Sequence, residues 1–155
     1  LHWDHVQGLP FFVPIDRPGA RLDIYGPPQQ GLTLEEAFEE FMRPPYFPVR
    51  FQELRGQIAF HDLGDADVAI GDAKVRVRPV PHIGATNGYR VELGGASVAY
   101  ISDHQQPRDG SDSIAPEVME LCDGADLLIA AKCASENGLE VLPAAEGLTI
   151  SLGGN

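Results

Sequence analysis

The chain opens on Leu1-His2-Trp3-Asp4-His5-Val6-Gln7-Gly8-Leu9-Pro10-Phe11-Phe12, and how this stretch is read decides the fold. Two imidazoles and a carboxylate stand within four positions, followed by a Gly/Pro break and an apolar patch. That combination suits a divalent metal held where a strand ends, because neutral imidazole nitrogens and a carboxylate oxygen together satisfy a borderline-soft cation. In an extended segment His2 and Asp4 point to the same side, since side chains alternate with period two. His5 can join them only if the backbone turns, and Gly8 and Pro10 make the turn plausible. The plainer reading is a polar loop whose histidines touch nothing.

Composition narrows the partners. The 155 residues fit a single domain, and 43% hydrophobic with 22% charged residues is ordinary for a globular chain. No apolar run approaches the roughly eighteen residues that a membrane helix needs, and no leader is visible at the start. Cys122 and Cys133 are too few for a disulfide framework, and their apolar neighbours predict buried, reduced thiols in a cytoplasmic protein. The net charge is -12, from 11 Lys and Arg against 23 Asp and Glu. A surface that neutralises many phosphates should be basic, so a long nucleic acid is disfavoured as a partner. A small phosphodiester reached through a metal site is not, since bound cations supply the local positive charge. A homodimer is compatible with this composition.

Taken in order, residues 11–19 are broken by Pro14 and Pro18 and read as loop. Arg21 to Tyr25 alternates and stops at Gly26-Pro27-Pro28, which predicts a short strand and a turn. Thr33-Leu34-Glu35-Glu36 has the form of a capping box. Leu34, Ala37, Phe38, Phe41 and Met42 then recur at helical spacing, which predicts a helix from Leu34 to Arg43 with a solvated acidic face. Pro44-Pro45-Tyr46-Phe47-Pro48 ends it. Strands are predicted over 57–63, 67–70 and 74–80, with Gly71-Asp72 as a hairpin turn. Val75 and Val77 alternate with Arg76 and Arg78, predicting one face in the core and one in water. A second hairpin runs over 87–93 and 97–102 around Gly94-Gly95. A helix over 116–122, a stop at Gly124 and a buried strand over 126–131 follow.

Two strands end on potential ligands: Pro81-His82-Ile83-Gly84 follows one, and Ser102-Asp103-His104 the other. A lone histidine after a strand is more often a surface residue than a ligand. As residue types they are useful together, since a carboxylate such as Asp103 can bridge two cations while imidazoles complete each shell without adding charge. His61, inside a strand and without ligand neighbours, reads as structural or exposed. Trp3 is expected to pack under the metal loop. Gly84, Asn87 and Gly88 suit a tight backbone path, with Asn87 and Tyr89 as candidate pocket-lining residues.

The run His2-Trp3-Asp4-His5 with Gly8-Leu9-Pro10-Phe11-Phe12 resembles the tail of the H-x-H-x-D-H signature of the metallo-β-lactamase superfamily, in the branch of ribonuclease Z and the cyclic phosphodiesterases. The stretches His82 to Arg90 and Val98 to His104 resemble the same branch. The resemblance implies an αβ/βα sandwich, here incomplete at its N-terminal side, and two divalent ions, zinc before manganese. It implies that His2 and His82 serve one metal, Asp4 and His5 the other, and Asp103 both. A hydroxide bridging ions about 3.5–4 Å apart would attack phosphorus in line. Asp4 would orient or deprotonate that water, and His104 would protonate the leaving alkoxide or support the site from behind.

There are also departures from the family pattern. The signature's first histidine would lie two positions before His2, which reads as a fragment, and no histidine follows His104. From Ala130 to Asn155 the motifs match nothing, so residues 130–155 read as a divergent tail on a single partial domain. The expected activity is therefore metal-dependent phosphodiester hydrolysis. The alternatives are a lactonase or esterase of the same superfamily, or an inactive fragment that keeps the scaffold.

Overall fold

The computed structural model describes residues 1–105, 113–130 and 149–151. They form two compact units, one of Leu1–Gly64 with Ile83–Thr86 and one of Asp65–His82 with the described residues from Asn87 onward.

In the first unit the opening motif is helical rather than extended. His2 keeps an extended backbone, but Trp3–Val6 forms a short helix, α1. The His5 amide donates to the His2 carbonyl at 3.1 Å and the Gln7 amide to that of Trp3 at 2.9 Å. The turn thus falls at Trp3 itself, ahead of Gly8 and Pro10, and Asp4 stands in the first helical turn, where a carboxylate complements the exposed amides. The loop expected after it is two 3-10 turns, Leu9–Phe11 and Val13–Asp16. Pro10 and Pro14 sit at their starts, where a missing N–H loses no hydrogen bond.

Strand β1, Arg21–Gly26, pairs in parallel with β2, Gln57–Asp62. Helix α2, Leu34–Phe41, lies between them in sequence and carries the expected capping box. Thr33 Oγ1 accepts from the Glu36 amide at 3.2 Å, and Glu36 accepts from the Thr33 amide at 2.8 Å. Asp62 adds a third acceptor, taking the Leu34 amide at 2.7 Å. The helix ends two residues short of Arg43, because the residue before Pro44 is pushed out of helical geometry and Met42 has already left it. Val6, Leu34, Phe38, Met42 and Phe51 form the core, with Ile24, Ile58 and Phe60 packed against it. On the outside, His61 is tied down by its own sheet: it stacks on Tyr25 at 4.4 Å and meets Asp23 at 2.8 Å.

The second unit is a five-stranded sheet, β3 (Ala66–Ile70), β4 (Ala73–Pro79), β5 (Asn87–Leu93), β6 (Ala96–Ile101) and β7 (Leu127–Ala130), in that order. All pairs are antiparallel except β6 with β7, which helix α3, Pro116–Cys122, separates in the chain. Both expected hairpins are present. Gly94 and Gly95 take φ of 59° and 84°, the left-handed pair that a two-residue turn matching strand twist requires.

The arginine face of β4 is not in water. Glu120 of α3 accepts from Arg78 Nη2 at 2.8 Å, and Asp67 from Nη1 at 2.8 Å. These carboxylates hold the guanidinium's pKa above its ordinary value. Arg90 on β5 donates to the carbonyls of Leu121 and Asp123, satisfying the C-terminal end of α3. Val80, Ile101, Val118 and Leu121 pack as a core, with half-buried Cys122 against it. Cys133 and most of the expected tail lie outside the described residues. Strand β7 is shorter and less buried than expected, with Ile129 exposed.

Among the described residues, four carboxylates have their pKa lowered from the ordinary value: Asp16 by Arg55, Glu36 by Thr33, Glu120 by Arg78 and Asp126 by Ser97. A lowered folded-state pKa contributes stability that is present above the unfolded value and lost as pH falls through the folded one. The thermal midpoint should therefore hold from neutral pH to about pH 5 and drop below about pH 4. Asp126→Asn should flatten the drop, and a midpoint unchanged down to about pH 3 would contradict the assignment.

Candidate metal centre

The second unit presents the clearest site. Strands β4 and β6 both run antiparallel to β5, so their C-terminal ends meet at one edge of the sheet. His82 follows the first and Asp103 the second, and a bond from the Gln105 amide to the Pro81 carbonyl at 2.7 Å ties the two exits together. His82 Nε2 lies 3.3 Å from an Asp103 carboxylate oxygen, with both side chains half-buried. One imidazole nitrogen and one carboxylate oxygen, partly shielded from solvent, are donor types that a divalent ion takes and make two of the three or four a protein site supplies. Beside them, His104 Nε2 is buried with no hydrogen-bond partner among the described residues.

The flanking residues are fixed by the same strands. Asn87 begins β5 and is buried, and its side chain shares a hydrogen bond with Tyr89. Burial is the larger influence on that phenol and pushes its pKa up. Gly88, between them, admits no side chain: a Cβ there would stand 2.7 Å from Leu121 Cδ1 and 2.9 Å from Val80 Cγ1.

In the first unit, Asp4 and His5 make a contact of 3.6 Å. His2 caps the same short helix. Trp3 does not pack underneath this motif. It is exposed and leans edge-on against Phe41 at 5.1 Å, because the helical turn directs it outward. Phe11 and Phe12, read from sequence only as an apolar patch, are exposed as well. Gly84, with φ of 81°, and a bond from Gln29 Nε2 to the Ala85 carbonyl at 2.8 Å hold the 83–86 loop to this unit.

Mixed α/β architecture with a His–Asp pair at neighbouring strand ends defines the class, an α/β protein with a candidate metal site. The chain matches the beta-lactamase superfamily domain over residues 1–140 and belongs to that superfamily, whose members are generally hydrolytic enzymes. The match runs past Ala130, where the motif resemblance stops. A search of curated proteins found no match. Among solved structures, the chain is similar to the metallo-beta-lactamase fold protein YhfI from Bacillus subtilis, at 18% identity and a TM-score of 0.43. The similarity covers 68% of this chain and 40% of that one. Among the described residues, no helix is long and apolar enough to cross a membrane.

Proposed function

We propose that the chain is a metal-dependent phosphodiesterase acting on a small substrate. The observation that carries this reading is the half-buried His82–Asp103 pair at 3.3 Å, set at two strand ends in a chain of this superfamily. His82 and Asp103 would hold one divalent ion with His2, and Asp4 and His5 would hold a second that shares Asp103. Zinc suits these donors best, and manganese is the runner-up. When bound, such ions supply an activated water and offset the charge of a phosphodiester.

The remaining steps belong to the protein. Asp4 orients the attacking water and takes its proton. His104, whose Nε2 is buried without a partner among the described residues, delivers a proton to the departing alkoxide. Asn87 and Tyr89, locked together by their hydrogen bond, form a fixed wall for the substrate. The excess of acidic residues keeps long nucleic acids away and leaves a small ester as the substrate class.

The test is hydrolysis of bis(p-nitrophenyl) phosphate by the zinc-loaded chain. Turnover is expected, and it should be lost on chelation and regained when zinc is restored. His104→Gln should slow an alkyl leaving group by about 100-fold and p-nitrophenolate far less, since only the poorer leaving group needs the proton. Turnover of a lactone with no phosphodiester cleaved would replace the phosphodiesterase reading with an esterase.

A further inference from the structure

The sheet of the second unit gathers cations on one face. Lys74, Arg76 and Arg78 alternate along β4, and Arg76 stands directly opposite Arg90 of β5. These are four of the six Lys and Arg in residues 65–82 and 87–155. Like charges facing each other across a strand pair cost stability unless anions offset them. For two of the four the anions are at hand. Arg78 is held by Glu120 and Asp67, and Arg90 by Glu92 at 2.7 Å and by the last carbonyls of α3. The other two are not matched in this way. The side chain of Arg76 makes no hydrogen bond among the described residues: its Nε is buried without a partner, and carboxylate oxygens of Glu120 and Asp67 stand 3.7 and 3.8 Å from it. The Lys74 ammonium is exposed and has neither a hydrogen bond nor an ion pair among the described residues.

Both unmatched cations line one hollow of about 300 Å³ on this face, with Arg90, Asp67 and Glu92 also at its walls. The two carboxylates are already engaged, Asp67 by Arg78 and Glu92 by Arg90. The charge left without a close partner in the hollow is therefore positive. Lys74 and Arg76 are two positions apart on one strand, about 7 Å, a span that the oxygens of one tetrahedral anion bridge when two long side chains reach toward it. Arg76 is open enough to be reached, with 36% of its side chain exposed. We infer that this hollow binds a phosphate group, free or as a phosphomonoester. The Arg76 guanidinium donates to its oxygens in a fork, and the Lys74 ammonium meets it as a compact charge. A dianion matches two cations, where a carboxylate would match one. The site stands apart from His82 and Asp103, because β4 ends at Pro79, about 17 Å along the strand from Lys74. The inference is thus independent of the hydrolase reading.

The full chain is stripped of metal with EDTA, dialysed, and titrated with inorganic phosphate, methyl phosphate and acetate, followed by calorimetry and phosphorus NMR. The pH is held at about 7.5, where a phosphomonoester is mostly doubly charged, and ionic strength is fixed because salt screens exposed charges. Phosphate should bind once per chain, and acetate about tenfold more weakly. Lys74→Gln and Arg76→Gln should each weaken phosphate about tenfold or more, the loss of one charge-assisted contact, and Lys74→Arg should retain it. Lys74 is exposed, so its variants keep the fold, checked by circular dichroism, and decide the matter even where Arg76→Gln disturbs α3. Tighter binding of methyl phosphate assigns the hollow to a phosphomonoester and tighter binding of the inorganic ion to free phosphate, and either supports the site. Absence of phosphate binding, acetate as tight as phosphate, or an affinity unchanged in Lys74→Gln overturns the inference. Binding lost in His82→Ala and kept in Lys74→Gln also overturns it, by moving the anion to the strand ends.

Discussion

Asp103→Asn is expected to release bound zinc while leaving the fold intact. The substitution keeps the side chain's shape and one accepting oxygen, removes the charge and turns the second oxygen into an NH2 donor. Within the protein that charge faces His82 at 3.3 Å, with about a quarter of each side chain exposed. A contact this close to solvent is worth at most about 0–1 kcal/mol, so the thermal midpoint should barely move. A divalent ion is affected far more, because it depends on anionic ligands for much of its affinity. Loss of a supporting contact alone weakens metal sites by about 10–100-fold, and loss of a direct ligand should exceed that. Mass spectrometry of the chain after zinc loading and gel filtration should show metal in the native protein. It should show a marked loss in Asp103→Asn and in His82→Ala. Native metal content in both variants would mean that this strand-end pair is not the site.

The strand ends that carry this prediction were legible in the sequence because their signals are local. Gly71-Asp72 and Gly94-Gly95 set the hairpins, and hairpins fix which strands run together and so which residues emerge at one edge. Thr33 and Glu36 set the start of α2 within a single turn. What escaped the sequence depends on contacts between distant residues. Arg76 and Arg78 alternate with valines as a solvent face should, yet Glu120, more than forty positions on, covers them. The helix at Trp3–Val6 escaped for a different reason. Two imidazoles and a carboxylate read equally well in either backbone geometry, and four residues carry too little periodicity to choose. The outward position of Trp3, expected under the metal loop, goes with that helical turn.

The largest effect on stability should come from Leu121→Ala. Leu121 is fully buried and, with Val118, packs α3 against Val80 and Ile101. Removing its isobutyl group forfeits the transfer energy and opens a cavity, for about 2–5 kcal/mol. Against a domain stability of about 5–15 kcal/mol, that is enough to populate the unfolded state visibly in denaturant melts. The same contact can be stressed from its other side. Gly88→Ala places a methyl 2.7 Å from Leu121 Cδ1 and 2.9 Å from Val80 Cγ1. Both neighbours are buried, so overpacking should lower stability by about 1–3 kcal/mol. The two changes are opposite in volume and share one contact, so their effects should not add. In the double variant the new methyl enters the space that Leu121 vacates, and the combined loss should fall short of the sum by about 0.5–3 kcal/mol. Strict additivity would show that α3 is held mainly by other means, chiefly Arg78 with Glu120 and Arg90 with the helix's last carbonyls.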